Sequence, residues 1–165
     1  MKKTQLALLS TAISSLALIG IALYFQIVER MLPCPLCVIQ RYAFIVVAIG
    51  SLIALGSSNL KRKIGTGIAL YGSLTGAGVA LHHLYVIEHP EITCGIDPVQ
   101  TFVNNLPFAD WLPLVFTADG MCGTPYDPLL GLSIPQWSCA WFTLYTIVLL
   151  ILLFKGKPAD TGAAR

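Results

Sequence analysis

Long apolar stretches dominate the chain and are separated by shorter polar segments. A helix needs about 20 predominantly apolar residues to cross a bilayer, and four stretches reach that length. Three of them contain no Asp, Glu, Lys or Arg: residues 4–28, 64–87 and 128–154. The remaining stretch, residues 31–60, contains only one such residue, Arg41. The pattern predicts an all-α membrane protein, a single domain over residues 1–165, with four transmembrane helices at about 5–27, 37–57, 64–87 and 136–154.

Composition supports a membrane protein over a soluble one. The chain is 56% hydrophobic and 11% charged, whereas about a quarter of the residues in soluble domains are charged. The first apolar stretch exceeds the roughly 7–15 residues of a signal-peptide core, so we interpret it as a retained helix. The bilayer is therefore the expected surroundings, and no nucleic-acid partner is expected.

The distribution of charge predicts the orientation of the helices. Basic residues lie before the first helix, between the second and third (Lys61–Lys63) and after the fourth, whereas residues 88–127 contain six acidic side chains and no Lys or Arg. Because cytoplasmic loops carry the excess of Lys and Arg, both termini are predicted to be cytoplasmic. The 58–63 loop and the 155–165 tail are then cytoplasmic, and loops 28–36 and 88–135 face the periplasm of a bacterial inner membrane.

Four of the five cysteines fall on the predicted periplasmic side. Cys34 and Cys37 lie at the outer end of the second helix, Cys94 and Cys122 lie in the long loop, and Cys139 lies near the start of the fourth helix. Disulfides form and persist in that oxidising compartment. Four cysteines permit three pairings; nearness in sequence favours Cys34–Cys37, which leaves Cys94–Cys122.

The CxxC spacing favours redox exchange over a structural role. A bridge across two intervening residues constrains little of the unfolded chain and so adds little stability. A Cys94–Cys122 bridge would close a long segment, so for that pair a purely structural role remains an alternative. In a CxxC pair the second thiol can resolve a mixed disulfide formed at the first. A four-cysteine zinc site is the weaker alternative, since only one of its two expected CxxC knuckles is present.

Arg41 follows Cys37 by four residues and Cys34 by seven, so the three lie on one helical face. Near a membrane boundary such a side chain can simply reach out to the interface. Alternatively, a fixed cation one turn below Cys37 stabilises a thiolate there and offers hydrogen-bond donors to an acceptor lodged among the outer helix ends.

The electron acceptor is predicted by elimination and by location. The chain shows no GxGxxG dinucleotide motif, no CxxCH haem attachment and no iron–sulfur cysteine cluster. A membrane quinone then fits a thiol pair rooted in the bilayer. His82 and His83, near the outer end of the third helix, are candidate donors to a quinone oxygen, and interhelical hydrogen bonding is their alternative role.

The long loop contains one segment with helical periodicity. Val99, Phe102, Val103 and Leu106 fall at i, i+3, i+4 and i+7, and Pro107 ends the pattern. We interpret the segment as a short interfacial helix on the outer leaflet that tethers a mobile loop. A packed cap over the helix ends is the alternative.

Four motifs carry a resemblance to a known family. "LPCPLCVIQRYAF", the loop cysteines in "TCGID" and "GMC", and "IPQW" before the last helix resemble the DsbB family of disulfide-bond formation proteins over nearly the whole chain. The resemblance implies a four-helix inner-membrane enzyme that reoxidises DsbA, a periplasmic thioredoxin-fold oxidase, and reduces membrane quinone, either ubiquinone or menaquinone.

The resemblance also implies roles for individual residues. Cys34 and Cys37 would form the quinone-linked disulfide, with Arg41 and Cys37 beside the quinone. Cys94 and Cys122 would form the disulfide that meets reduced DsbA. The alternative function is a disulfide-stapled membrane scaffold or transporter subunit without redox turnover.

Overall fold

A computed structural model describes residues 3–89, 98–123 and 128–155. Four long helices account for most of these residues, and three short helices lie between the third and fourth of them. The helices are α1 (Lys3–Val28), α2 (Pro35–Ala54), α3 (Asn59–Glu88), α4 (Pro98–Asn104), α5 (Pro107–Trp111), α6 (Pro113–Phe116) and α7 (Ile134–Lys155).

The four long helices α1, α2, α3 and α7 are each long and apolar enough to cross a membrane. Their number and their order confirm the predicted all-α membrane architecture. Many large apolar side chains point away from the bundle, and Leu6, Leu74 and Ile147 are each about half exposed. Lipid tails cover such surfaces in a bilayer, because the apolar outer face needs no protein partner there.

Helix ends differ from the predicted ones where a cap sets the boundary. The helix α3 begins at Asn59, five residues before the predicted start at 64, because the Ser58 side chain accepts a hydrogen bond from the Lys61 N–H at 3.1 Å. This is a normal N-cap, and it places the basic cluster on the first turn of α3 instead of in a loop. The helix α2 begins at Pro35, two residues early, because proline suits the first helical position.

Close packing of α2 against α3 and of α3 against α7 builds the core. The Phe44 ring on α2 stacks on the Phe142 ring of α7 with centroids 4.1 Å apart, over the backbone of Gly76 on α3. Hydrogen bonds join further helix pairs: Tyr145 Oη donates to Ser14 Oγ at 2.9 Å. Small residues and interhelical hydrogen bonds are the usual means by which helices associate in lipid.

The three short helices pack on one side of α2 near its N-terminal end. Val103, Ala109 and Phe116 are buried there with Val38, and the Tyr42 ring stacks on Phe116 at 4.5 Å between centroids. Their opposite face exposes large apolar side chains: Phe102, Phe108, Trp111, Leu112 and Leu114. Packing against α2 agrees with the cap, and the exposed apolar face is of the kind found at membrane interfaces. The position on the outer leaflet and the tethering of a mobile loop stay predictions.

Candidate active site

Cys34 and Cys37 sit at the N-terminus of α2. Cys34 is the N-cap, and its sulfur accepts a hydrogen bond from the Cys37 N–H at 3.3 Å. The two Sγ atoms lie 3.1 Å apart as thiols, so the structure has the pair adjacent and not bonded. The positive end of the helix dipole favours a thiolate at this position. Pairing of Cys34 with Cys37 stays a prediction.

His83 of α3 lies against both thiols. Its Nε2 is 3.6 Å from Cys34 Sγ and its Nδ1 is 4.0 Å from Cys37 Sγ. The Gln40 Nε2 and His83 Nδ1 atoms lie 3.4 Å apart, within hydrogen-bond distance, so the Gln40 amide orients the ring. His83 and Gln40 are both only 4% exposed, and a buried imidazole in this setting can hold or pass a proton.

Cys122 is delivered to the same cluster by backbone hydrogen bonds. The N–H groups of Asp119 and Gly120 both donate to the Pro33 carbonyl oxygen at 3.0 Å. A Cβ at Gly120 would collide with the Leu32 carbonyl, so this close approach requires glycine. Cys122 is consequently buried against Cys34.

Contact between these two thiols separates their acidities. The pKa of Cys122 is lowered, first by its interaction with the Cys34 thiol and also by the Leu36 backbone N–H at the start of α2. The pKa of Cys34 is raised, first by its interaction with Cys122, then by Cys37 and by burial. These opposite shifts favour a thiolate at Cys122 over one at Cys34.

Arg41 is 5% exposed, one turn deeper than Cys37. Its Nη1 donates to the Val115 carbonyl oxygen at 2.8 Å, which fixes α6 to α2. Gln26 of α1 makes the equivalent bond to the Leu114 carbonyl at 2.9 Å. Guanidinium has five N–H donors, so one bond to the backbone leaves others to face a ligand.

An apolar cavity of about 460 Å³ opens beside the thiols, between the four long helices at the Cys34 end of α2. Its wall includes Cys34, Cys37, Gln40, Arg41 and His83 among mostly apolar side chains. Ligand sites for small molecules typically have a volume of about 300–1,000 Å³, apolar walls and a few convergent polar groups. This cavity has all three properties.

The structure brings together most of the residues singled out in the sequence. Of the two candidate histidines, His83 faces the thiols and His82 is exposed. Cys94 lies outside the described residues, and Cys139 packs against the main core on α7. Gln40 was missed, although its position three residues after Cys37 places it on the same side of α2. The residues brought together are Cys34, Cys37, Arg41, His83 and Cys122.

The Asn104 side chain holds the segment that leads to Cys122. Its Oδ1 accepts from the Ala118 N–H at 2.8 Å, and its Nδ2 donates to the Ala118 carbonyl at 2.9 Å. Gln100 also donates to that carbonyl at 2.9 Å. The Ala118 carbonyl would therefore keep one donor without Asn104, whereas the buried Ala118 N–H would lose the acceptor that Asn104 provides.

We expect Asn104→Ala to loosen this segment. An orphaned buried N–H costs about 1–3 kcal/mol, so local opening should become about 5- to 150-fold more frequent. The measurement is the rate of Cys122 alkylation in the reduced protein, followed by peptide mass spectrometry. Asn105→Ala is the matched control, because Asn105 is exposed and donates only to Thr101 in its own segment. Equal Cys122 rates in both variants would contradict the role of Asn104.

Comparison with known proteins agrees with the site. The family model for disulfide bond formation protein DsbB matches residues 4–152. A disulfide bond formation protein B of Herminiimonas arsenicoxydans is 47% identical over 157 residues, covering 95% of this chain and 99% of that protein. A protein of the same name from Ralstonia nicotianae is 42% identical over 144 residues, covering 87% and 90%. Disulfide bond formation protein B 1 of Pseudomonas fluorescens is 43% identical over 146 residues, covering 87% and 86%.

Proposed function

The chain belongs to the DsbB family of disulfide bond formation proteins, and from this premise we propose that it is a thiol:quinone oxidoreductase. It reoxidises a DsbA-type thioredoxin-fold oxidase in the periplasm and passes the electrons to membrane ubiquinone or menaquinone. The observation that carries the proposal is the burial of Cys122 against Cys34, in a cluster that also lines an apolar cavity. One end of this cluster can receive electrons and the other can release them.

Transfer begins at the loop cysteines. A thiolate of the reduced partner attacks Cys94 of a Cys94–Cys122 disulfide, which forms a mixed disulfide and releases Cys122 as a thiolate. Cys122 then attacks Cys34 of the Cys34–Cys37 disulfide and releases the Cys37 thiolate. The partner's second thiol displaces Cys94 from the mixed disulfide, which releases the oxidised partner. Each exchange breaks one S–S bond and forms another. Burial of Cys122 in one cluster with Cys34, and the interaction between the two thiols, support the second step, because the attacking and attacked residues are already in contact.

The cavity suits a quinone, which supplies the final acceptor of two electrons and two protons when bound. Its wall is mostly apolar, and Arg41 and His83 offer N–H donors to ring oxygens. Arg41 also stabilises the Cys37 thiolate, because a guanidinium stays protonated even when it is buried. His83 and Gln40 hold a proton beside the thiols and orient it.

The direction of electron flow follows from reduction potentials. A DsbA-type oxidase is a strong oxidant at about −120 mV, so its reoxidation needs an acceptor of still higher potential. Glutathione at about −180 to −260 mV would drive the reaction backwards. A quinone pool coupled to respiration meets the requirement.

We further propose that both termini and the α2–α3 turn are cytoplasmic. The basic residues Lys61, Arg62 and Lys63 lie on the first turns of α3, directly after that connection and at the opposite end of α2 from the Cys34 N-cap. The positive-inside rule then assigns the cysteine end to the periplasm of the bacterial inner membrane, where the soluble partner is found.

Quinone consumption tests the proposal directly. The purified protein in detergent receives reduced DsbA-type oxidase and a water-soluble ubiquinone or menaquinone analogue, and quinone absorbance is followed with time. We expect one quinone to be consumed for each partner dithiol oxidised, and a Cys94→Ser variant to consume none above background. A disulfide-stapled scaffold would leave the quinone unreacted in every sample, and that outcome would reject the oxidoreductase.

A further inference from the structure

Three side chains of the cluster also form a set of metal ligands in the dithiol state. The ligand atoms of Cys34, Cys37 and His83 all lie within 4.8 Å of one another. Two thiols and an imidazole are a donor set that Zn²⁺ prefers. The four-cysteine zinc site was the weaker alternative in the sequence, because only one CxxC pair is present. The set found here takes its third ligand, His83, from α3, where no local motif indicates a metal ligand.

Spacing within the set is close to that around a tetrahedral ion. With Zn–S near 2.3 Å and Zn–N near 2.0–2.1 Å, neighbouring ligand atoms are about 3.5–3.8 Å apart. Cys34 Sγ and His83 Nε2 are already 3.6 Å apart, and the two sulfurs are 3.1 Å apart. Binding therefore requires the two sulfurs to move apart from 3.1 Å to the spacing of a tetrahedral ion.

The surroundings supply the remaining requirements of such a site. Metal-ligating histidines usually hold their second ring nitrogen in a hydrogen bond, and Gln40 already contacts His83 Nδ1. With its amide rotated, Gln40 accepts the Nδ1–H, which leaves Nε2 free to ligate. Among the residues that the structure describes, Cys122, buried against Cys34, is the nearest further thiol for the fourth position.

We propose that the dithiol form binds one Zn²⁺ through Cys34, Cys37 and His83, and that the bound ion inhibits electron transfer. Binding forms two Zn–S bonds and one Zn–N bond and releases two thiol protons to water. No electron moves, so the ion acts only by occupying the sulfur lone pairs. A Cys34–Cys37 disulfide offers no thiolates, and oxidation therefore abolishes the site.

Zinc binding is measured on the full chain in detergent, without quinone or partner. The protein is reduced, freed of reductant anaerobically and titrated with Zn²⁺ against a chromophoric chelator. We expect one tight site per chain, an affinity at least about tenfold lower in His83→Ala and Cys37→Ser, and no change in Cys139→Ser. Protein oxidised chemically with diamide should lack the site. Equal binding by the reduced and oxidised forms would overturn the inference.

Protection from alkylation tests the same ligands in the unaltered protein. Stoichiometric Zn²⁺ should slow the modification of Cys34 and Cys37 at least about tenfold and leave Cys139 unchanged. Protection of all cysteines alike, or of none, would reject the assigned ligands. This readout does not depend on the folding of any variant.

Only the inhibition rests on the proposed function, and the two can fail separately. If Zn²⁺ binds but the zinc-free protein reduces no quinone, the oxidoreductase is rejected and the ion site stands. If the protein turns over and stoichiometric Zn²⁺ neither binds nor slows it, the ion site is rejected and the oxidoreductase stands.

Discussion

Cys37→Ser is expected to reduce quinone turnover to the uncatalysed background, a loss of at least about 10³-fold, as on removal of a catalytic nucleophile. A serine oxygen cannot form the disulfide that Cys122 must attack at Cys34. Nor can it present a thiolate to the cavity that Cys37 lines. The measurement is quinone absorbance with reduced partner in excess, in wild type and variant side by side.

Cys139→Ser is the matched control for that result. Cys139 is also a half-buried free thiol near the N-terminal end of a long helix, α7. It packs against the hydrophobic core around Phe142, and not with Cys34 and Cys122. Its replacement should leave turnover within about twofold of wild type, since one side-chain atom changes at a partly buried position. Retention of turnover by both variants would show that the thiols are structural.

Much of the fold could be predicted from the sequence because the bilayer imposes a simple rule. An uncharged stretch of sufficient length must be a helix, since lipid offers no partner for an unpaired backbone group. Helix ends were harder to place, because they depend on local caps such as Ser58. The start of α3 was displaced for that reason.

Helical spacing alone predicts that Cys37 and Arg41 lie on one face of α2. It does not predict which residues of other helices pack against that face. His82 and His83 were equivalent in the sequence. The rotation of α3 against α2 decides between them, and it buries His83 and exposes His82. That rotation is set by packing along the whole α2–α3 contact, for which no short motif exists.

The position of Cys122 was implied by family resemblance and by no local pattern. Its approach to Cys34 depends on two hydrogen bonds to the Pro33 carbonyl. It also depends on Asn104, which fixes the backbone of Ala118. A contact of this kind is made by single residues far apart in the chain. It therefore produces no residue pattern that repeats at a fixed spacing, and the sequence alone does not reveal it.

The contact between α2 and α3 yields the second large effect, on the stability of the bundle. A Cβ at Gly65 of α3 would collide with the Ala54 backbone N–H group and the Gly50 carbonyl of α2. Backbone atoms cannot rotate away as a side chain does, so a larger residue must push the helices apart. We expect Gly65→Leu to destabilise the bundle by about 3 kcal/mol or more, the upper end for overpacking.

The matched control lies two residues further along the same helix. Gly67 is exposed, and a Cβ there meets nothing within 4 Å. Gly67→Leu gains the same helix propensity, about 0.5–1 kcal/mol over glycine, without the collision. Thermal unfolding in detergent, followed by size-exclusion elution after heating, should therefore show a much lower midpoint for Gly65→Leu alone.

Activity measured below the unfolding midpoint of Gly65→Leu then connects packing to chemistry. Gly65 and His83 share α3, so a displaced α3 carries the imidazole away from Cys34 and Cys37. We expect Gly65→Leu to lose quinone turnover while still helical by circular dichroism, and Gly67→Leu to retain it. Equal midpoints and equal turnover in the two variants would show that the close α2–α3 approach does not position the site.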